Sequence, residues 1–193
     1  MTARSLEHRG LEQVDSGRFR EVVGHFATGV TVISTRLGER SFGTTASSVA
    51  SLSVDPPMML ACLNRGSATH GAVSQTGRFA VNVLSTDQAG LARAFAQKGD
   101  DKFQGVAHAL GAQGMPLLDG ALAALECEVT EVATGGTHTV FMGRVLSAEA
   151  RPGRPLAYFR GQLGTLHPDL ETAAVAAVAA GQDAAGVRTA SAR

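Results

Sequence analysis

GTTASSVASLSVDPPMMLACLNRGSATH, residues 43–70, is the stretch from which the rest of the chain can be read. It begins with small hydroxyl residues (Thr44, Thr45, Ser47, Ser48, Ser51) and turns at Asp55, Pro56 and Pro57. It then runs through the apolar segment Met58 to Leu63 into Asn64, Arg65, Ser67 and Thr69. An apolar run bounded by turn residues predicts a core strand, here between two polar loops. Ser67, followed by ATHGAVSQ and then Gly77, predicts an N-capped short helix with a glycine stop. The N-terminus of such a helix carries N–H groups without intrahelical acceptors. With two hydroxyls and an arginine beside it, it is suited to an anion.

Upstream, Phe19, Val22, Val23 and Phe26 recur at helical spacing with Asp15 or Ser16 as cap and Gly29 as stop, which predicts a helix lying on a sheet. GVTVIST, the turn LGER and SFGTT predict an antiparallel hairpin over residues 30–45. Downstream, Phe79 to Leu84 predicts a short strand. QAGLARAFAQ predicts a helix with Leu91 and Phe95 as an i,i+4 pair and Thr86 or Asp87 as cap. Lys98 to Gly120 lacks periodicity and predicts a long loop of the kind that is functional or mobile.

From Leu122 to Val132, Leu125, Cys127 and Val129 alternate with Glu126, Glu128 and Thr130, predicting a strand with one wet face. TVFMGRVL is apolar on both faces, and PLAYF predicts a last short strand. Strands joined mainly by hairpins, with few helices, favour a mainly β antiparallel barrel over a doubly wound sheet. The expected organisation is a flexible segment at 1–15, one domain at 16–170 and an alanine-rich, disordered tail at 171–193.

Composition narrows the function. A chain of 193 residues, 44% hydrophobic, is of the size of one domain with a tail. Lys+Arg and Asp+Glu both number 17, so no net field draws it to nucleic acid or an anionic membrane. Cys62 and Cys127 form neither a CxxC nor a zinc spacing and read as buried free thiols suited to the cytoplasm. MTARSLEHRG has no apolar core of a signal peptide, so the expectation is a soluble protein that is not secreted. No histidine pair has metal-ligand spacing, and no metal is expected. GxGxxG is absent, so no Rossmann dinucleotide-binding unit is expected.

The succession TTASSVASLSVDPP, LACLNRGSAT, FAVNVLS, FAQKGDDKF, LECEV, THTVFMGRV and PLAYFRG resembles the flavin reductase family over about residues 16–165. Its members are small NAD(P)H-dependent enzymes that supply reduced flavin to a partner monooxygenase. The resemblance implies a split-barrel FMN-binding fold of Greek-key type, a homodimer with flavin near the subunit interface, FMN or FAD as flavin, and NADH or NADPH as co-substrate. By match of motif, Thr45, Ala46, Ser47 and Ser48 would lie at the flavin ring and Cys62, Leu63 and Asn64 along its edge. Arg65, Ser67 and Thr69 would lie near the phosphate, and Lys102 and Phe103 near the flavin tail.

His138 in GGTHTVFMG matches the family histidine facing nicotinamide and flavin, with Thr137 where the family has aspartate. Leu163 stands where some relatives have an aromatic. Hydride transfer belongs to the two nucleotides, so His138 is expected to position them or supply a proton. Two functional classes follow: an NAD(P)H:flavin oxidoreductase, or a flavin-binding split barrel for storage or sensing.

Overall fold

The computed structural model describes residues 13–99 and 101–166. The expected tail at 171–193 and nearly all of the expected N-terminal segment lie outside them. Helix α1 (Ser16–Val23) starts at Asp15, whose carboxylate accepts from the N–H groups of Gly17 at 2.9 Å and Arg18 at 3.0 Å. It ends at Gly24 rather than Gly29, and none of its residues is buried. The expectation that it lies on the sheet is therefore corrected: Phe19, Val22, Val23 and Phe26 are between 43% and 72% exposed.

After β1 (Thr28–Gly29), the hairpin forms as expected from β2 (Thr31–Leu37) and β3 (Arg40–Ala46). The hydroxyl block is not a loop: β3 runs into it and β4 (Val49–Val54) continues after a bend at Ser47 and Ser48. Next come β5 (Pro57–Asn64), α2 (Ala68–Thr76) and β6 (Arg78–Val83). Ser67 caps α2, and Gly77, at φ +64°, ends it in the left-handed conformation that glycine tolerates without strain. A 3-10 turn at Thr86–Gln88 leads into α3 (Ala89–Ala96). The cap is the Ser85–Gln88 capping box rather than Thr86 or Asp87.

The segment from Lys98 to Gly120 contains a small hairpin, β7 (His108–Leu110) with β8 (Pro116–Leu118). The long strands β9 (Ala123–Gly135) and β10 (His138–Ala150) follow, then β11 (Leu156–Phe159). PLAYF is not the last strand, because β12 (Gln162–Thr165) folds back on it.

The main sheet is antiparallel throughout, in the order β3-β2-β6-β9-β10-β5-β4. Its two outer strands are neighbours in sequence across Ser47 and Ser48, so the sheet curls until the chain itself joins its edges. Ile33, Ala61, Leu63, Phe79, Val81 and Phe141 fill the interior. A second apolar cluster, including Val32, Leu84, Phe95 and Leu156, lies on the other face beneath α3. Residues Thr31–Thr35 of β2 are consequently all buried, although their sequence alternates.

Glu126 departs most from the sequence pattern. Expected on a wet face, it is 1% exposed. Its Oε1 accepts the N–H groups of Gln113 and Met115 at 2.9 and 3.0 Å, and its Oε2 accepts the Ser147 hydroxyl at 2.7 Å. The β7–β8 turn covers this part of β9 and meets a carboxylate where water would otherwise be. With its donors in place the charge is tolerated. Burial, and secondarily the Glu126 charge, push the Cys127 thiol up to about 12.

Candidate functional site

A cleft of about 840 Å³ opens where three segments meet: Phe42–Thr44 of β3, the β5–α2 loop from Asn64 to Thr69, and the end of α3 with Ala96–Gly99 and Lys102. Asn64 shapes the loop by accepting the Gly66 N–H on Oδ1 at 2.8 Å and the Ser67 N–H on its carbonyl at 3.0 Å. The Ser67 hydroxyl then accepts the His70 N–H at 3.1 Å and starts α2 beside the cleft. Thr69, 3% exposed, completes this wall. Opposite, Lys102 donates to the Phe95 carbonyl at 2.9 Å, tying its loop to the end of α3.

Arg65, Lys98 and Lys102 line the cleft, and among the described residues no carboxylate does. Nearby Asp101 lies 3.3 Å from Arg40. Cations beside the N-terminus of a helix are the kind of arrangement that suits an anion. The volume falls within the usual range for a ligand pocket, and the amide, hydroxyl and ammonium donors suit a phosphorylated polar ligand.

The remaining expected residues are distributed around this cleft. Strand alternation turns Thr44 into it and Thr45 away. The Thr45 hydroxyl donates to the Ala92 carbonyl at 2.7 Å, and its side borders a separate depression with Tyr158 and Leu163. Ala46 and Leu63 belong to the barrel interior. Ser47 and Ser48 are exposed at the bend between β3 and β4, with the Ser48 carbonyl accepting the Cys62 N–H at 3.0 Å. Cys62 is half-buried, and burial raises its thiol above the usual range.

Phe103 packs edge-on against Phe95, with ring centres 5.0 Å apart, and against His108 at 4.8 Å. It is thus off the cleft lining. Thr44, Gly66, Gln97 and Lys98 line the cleft without having been singled out as site residues. All four lie inside the blocks that carry the family resemblance, but only the strand phase and the turns after β5 and α3 tell which members face inward.

His138 is exposed at the first position of β10, paired across the sheet with Asn64. Its Nδ1 lies 2.9 Å from the Thr137 hydroxyl, so threonine takes up the ring nitrogen in a block where the family has aspartate. The imidazole therefore stands beside the Asn64 end of the cleft rather than on its lining. His70 is occupied elsewhere, with Nε2 2.9 Å from the Thr139 hydroxyl and its ring against Phe141. His25 lies 2.9 Å from the Glu21 carbonyl. Among the described residues, no group of three or more His, Cys, Asp or Glu could hold a metal ion.

Residues 23–167 match the model of the flavin reductase like domain. The chain belongs to the flavin reductase-like family. The split-barrel fold and the enzyme class, an NAD(P)H-dependent flavin oxidoreductase, are those of this family. The chain is 44% identical over 163 residues to the reductase component of a 4-nitrophenol 4-monooxygenase/4-nitrocatechol 2-monooxygenase of Rhodococcus opacus, covering 84% of this chain and 88% of that one. It is 37% identical over 150 residues to the FMN reductase (NADH) SmoA of Agrobacterium fabrum, covering 78% and 86%.

Among solved structures it is similar to the NADH:FAD oxidoreductase SgcE6 of Streptomyces globisporus, in complex with NAD and FAD fragments. That match has a TM-score of 0.76 and 37% identity, and covers 83% of this chain and 99% of that one. These flavin reductases resemble this one throughout the barrel rather than in a single motif.

Proposed function

We propose that this protein reduces FMN with NADH or NADPH and releases the reduced flavin to a partner monooxygenase. The observation that carries this reading is the cleft between β3 and α2, with its cations, its capped helix N-terminus and its place beside the His138 turn. When bound, the flavin supplies the hydride acceptor. Arg65, Ser67 and Thr69 hold its phosphate, and Lys102 with Lys98 closes the opposite wall. His138 orients the reactants at the rim or delivers a proton there.

Two features support a homodimer. An eight-residue helix is marginal in water unless another surface covers it, and α1 leaves Phe19, Val22 and Val23 exposed, with Phe26 exposed just after it. Ser47, Ser48 and His138 are likewise exposed, as residues completed by a second copy would be in one protomer. The catalytic unit is residues 16–170, working in the cytoplasm, where Cys62 and Cys127 remain thiols. No described helix is long and apolar enough to cross a membrane.

Anaerobic mixing of the protein with FMN and each nicotinamide tests the reading. Bleaching of the flavin absorbance over many turnovers is expected. FMN binding without reduction by either nucleotide would replace it with the storage or sensing role.

A further inference from the structure

We infer that Arg65 is a positioning residue for His138, in addition to its place at the anion end of the cleft. This rests on the reductase reading in giving His138 work to do, whereas the contacts themselves belong to the fold. The Arg65 N–H donates to the Thr137 carbonyl at 3.1 Å, and its Nη2 donates to the Gly136 carbonyl at 2.5 Å. Gly136 and Thr137 are the two central residues of the β9–β10 turn, and His138 is the next residue. Gly136 has φ +56°, the positive value expected at the first central position of a two-residue hairpin loop.

Burial does not hold this turn. Every residue from Glu131 to His138 is exposed, so no core packing fixes the tip of the hairpin. The carbonyls of its two central residues are instead gripped by one arginine, backbone and side chain together. Thr137, whose hydroxyl lies 2.9 Å from the imidazole Nδ1, moves with them. The direction of the His138 ring therefore follows from the Arg65 contacts.

A guanidinium carries five N–H donors in a rigid plane, so the bond to Gly136 leaves donors for an anion in the cleft. An anion that orders the guanidinium orders the turn as well. The phosphate end and the histidine end are in this way mechanically one piece.

The test compares wild type, Arg65→Ala, Arg65→Lys, His138→Ala and the Arg65→Ala/His138→Ala double variant. The readouts are limiting anaerobic reduction rates with FMN and with riboflavin, flavin dissociation constants, and amide hydrogen exchange of the turn without flavin. Arg65→Ala is expected to lower the limiting rate by roughly tenfold with both flavins, since small misplacements of an aligned group cost up to about a hundredfold. It should raise the dissociation constant for FMN alone. Lysine keeps the charge but not the planar fork, so it should restore FMN affinity more than rate. In the His138→Ala background, Arg65→Ala should lower the rate no further.

Exchange at Thr137, His138 and Thr139 should accelerate in Arg65→Ala while the β2–β3 hairpin stays protected. Unchanged exchange at the turn would overturn the inference, as would an Arg65→Ala effect confined to FMN affinity, or rate losses that multiply in the double variant. A loosened turn in a protein whose wild type does not reduce FMN would instead refute the reductase reading and leave the positioning contact standing.

Discussion

Replacing Glu126 tests the polar anchor on which the β7–β8 hairpin is seated. In Glu126→Leu the side chain keeps its bulk, but the N–H groups of Gln113 and Met115 and the hydroxyl of Ser147 lose their acceptor. Each buried donor left unmade costs about 1–3 kcal/mol. Full loss of all three would therefore cost several kcal/mol. Gln113 is only half-buried, so its turn can lift and regain water, while Met115 is held under the hairpin at 6% exposure. A net loss of about 3 kcal/mol is expected. Glu126→Gln keeps Oε1 as acceptor for both N–H groups and turns an amide towards Ser147. It should cost only about 1 kcal/mol, the difference between charged and neutral hydrogen bonds.

Urea unfolding of the three proteins measures these values, and flavin binding should persist in the folded variants because Glu126 is off the cleft lining. Equal stability of Glu126→Leu and wild type would refute the argument that this carboxylate anchors the hairpin. Equal damage from glutamine and leucine would show that charge, and not the acceptor geometry, is what matters.

Ser67→Ala should weaken FMN by roughly tenfold or more relative to riboflavin, on the basis of about 1.5–3 kcal/mol for a hydrogen bond to a charged group. It should also cost about 1 kcal/mol of stability through the lost cap on His70 N–H. Equal affinity losses for both flavins would point to the cap alone. His138→Ala should slow nicotinamide oxidation by at most about a hundredfold, the low end for acid–base groups, with FMN affinity unchanged. Lost FMN binding with an intact saturated rate would reverse that assignment.

The Cys127 thiol, raised to about 12, binds its proton in the fold above the pH at which the unfolded thiol ionises. Stability from this residue is complete below about pH 8.5 and falls by up to about 1.4 kcal/mol per pH unit from there towards pH 12. Unfolding curves of wild type and Cys127→Val across that window should converge in slope only if Cys127 is not responsible. Below pH 9, iodoacetamide should label Cys62 first.

Much of the barrel was written locally. The hairpin at 30–45, the apolar strand before Asn64, the Ser67 cap and the Gly77 stop depend on side-chain periodicity and on neighbours within a few residues, and all stand in the structure. One wall of the cleft was legible for the same reason: Asn64, Arg65, Ser67 and Thr69 are parts of one strand-to-helix connection. The local pattern also misled where a distant segment changed the solvent. Glu126 alternates as a surface residue should, yet the turn at Gln113–Met115 folds over it and supplies its donors. Helix α1 has an apolar stripe fit for a sheet, but none of its residues is buried among the described residues.

Which hydroxyl faces the cleft was likewise not local information. Thr44 and Thr45 are adjacent and chemically equivalent, and the phase of β3 against α3 alone sends one to the cleft and the other to the Ala92 carbonyl. The grip of Arg65 on a turn some seventy residues away arises in the same manner, from the antiparallel register that sets Asn64 opposite His138. Periodicity determines which face of an element is apolar, because that depends on spacing along one strand or helix. What stands across from that face is decided when the sheet closes, since backbone hydrogen bonds between strands fix register over distances that no local pattern spans.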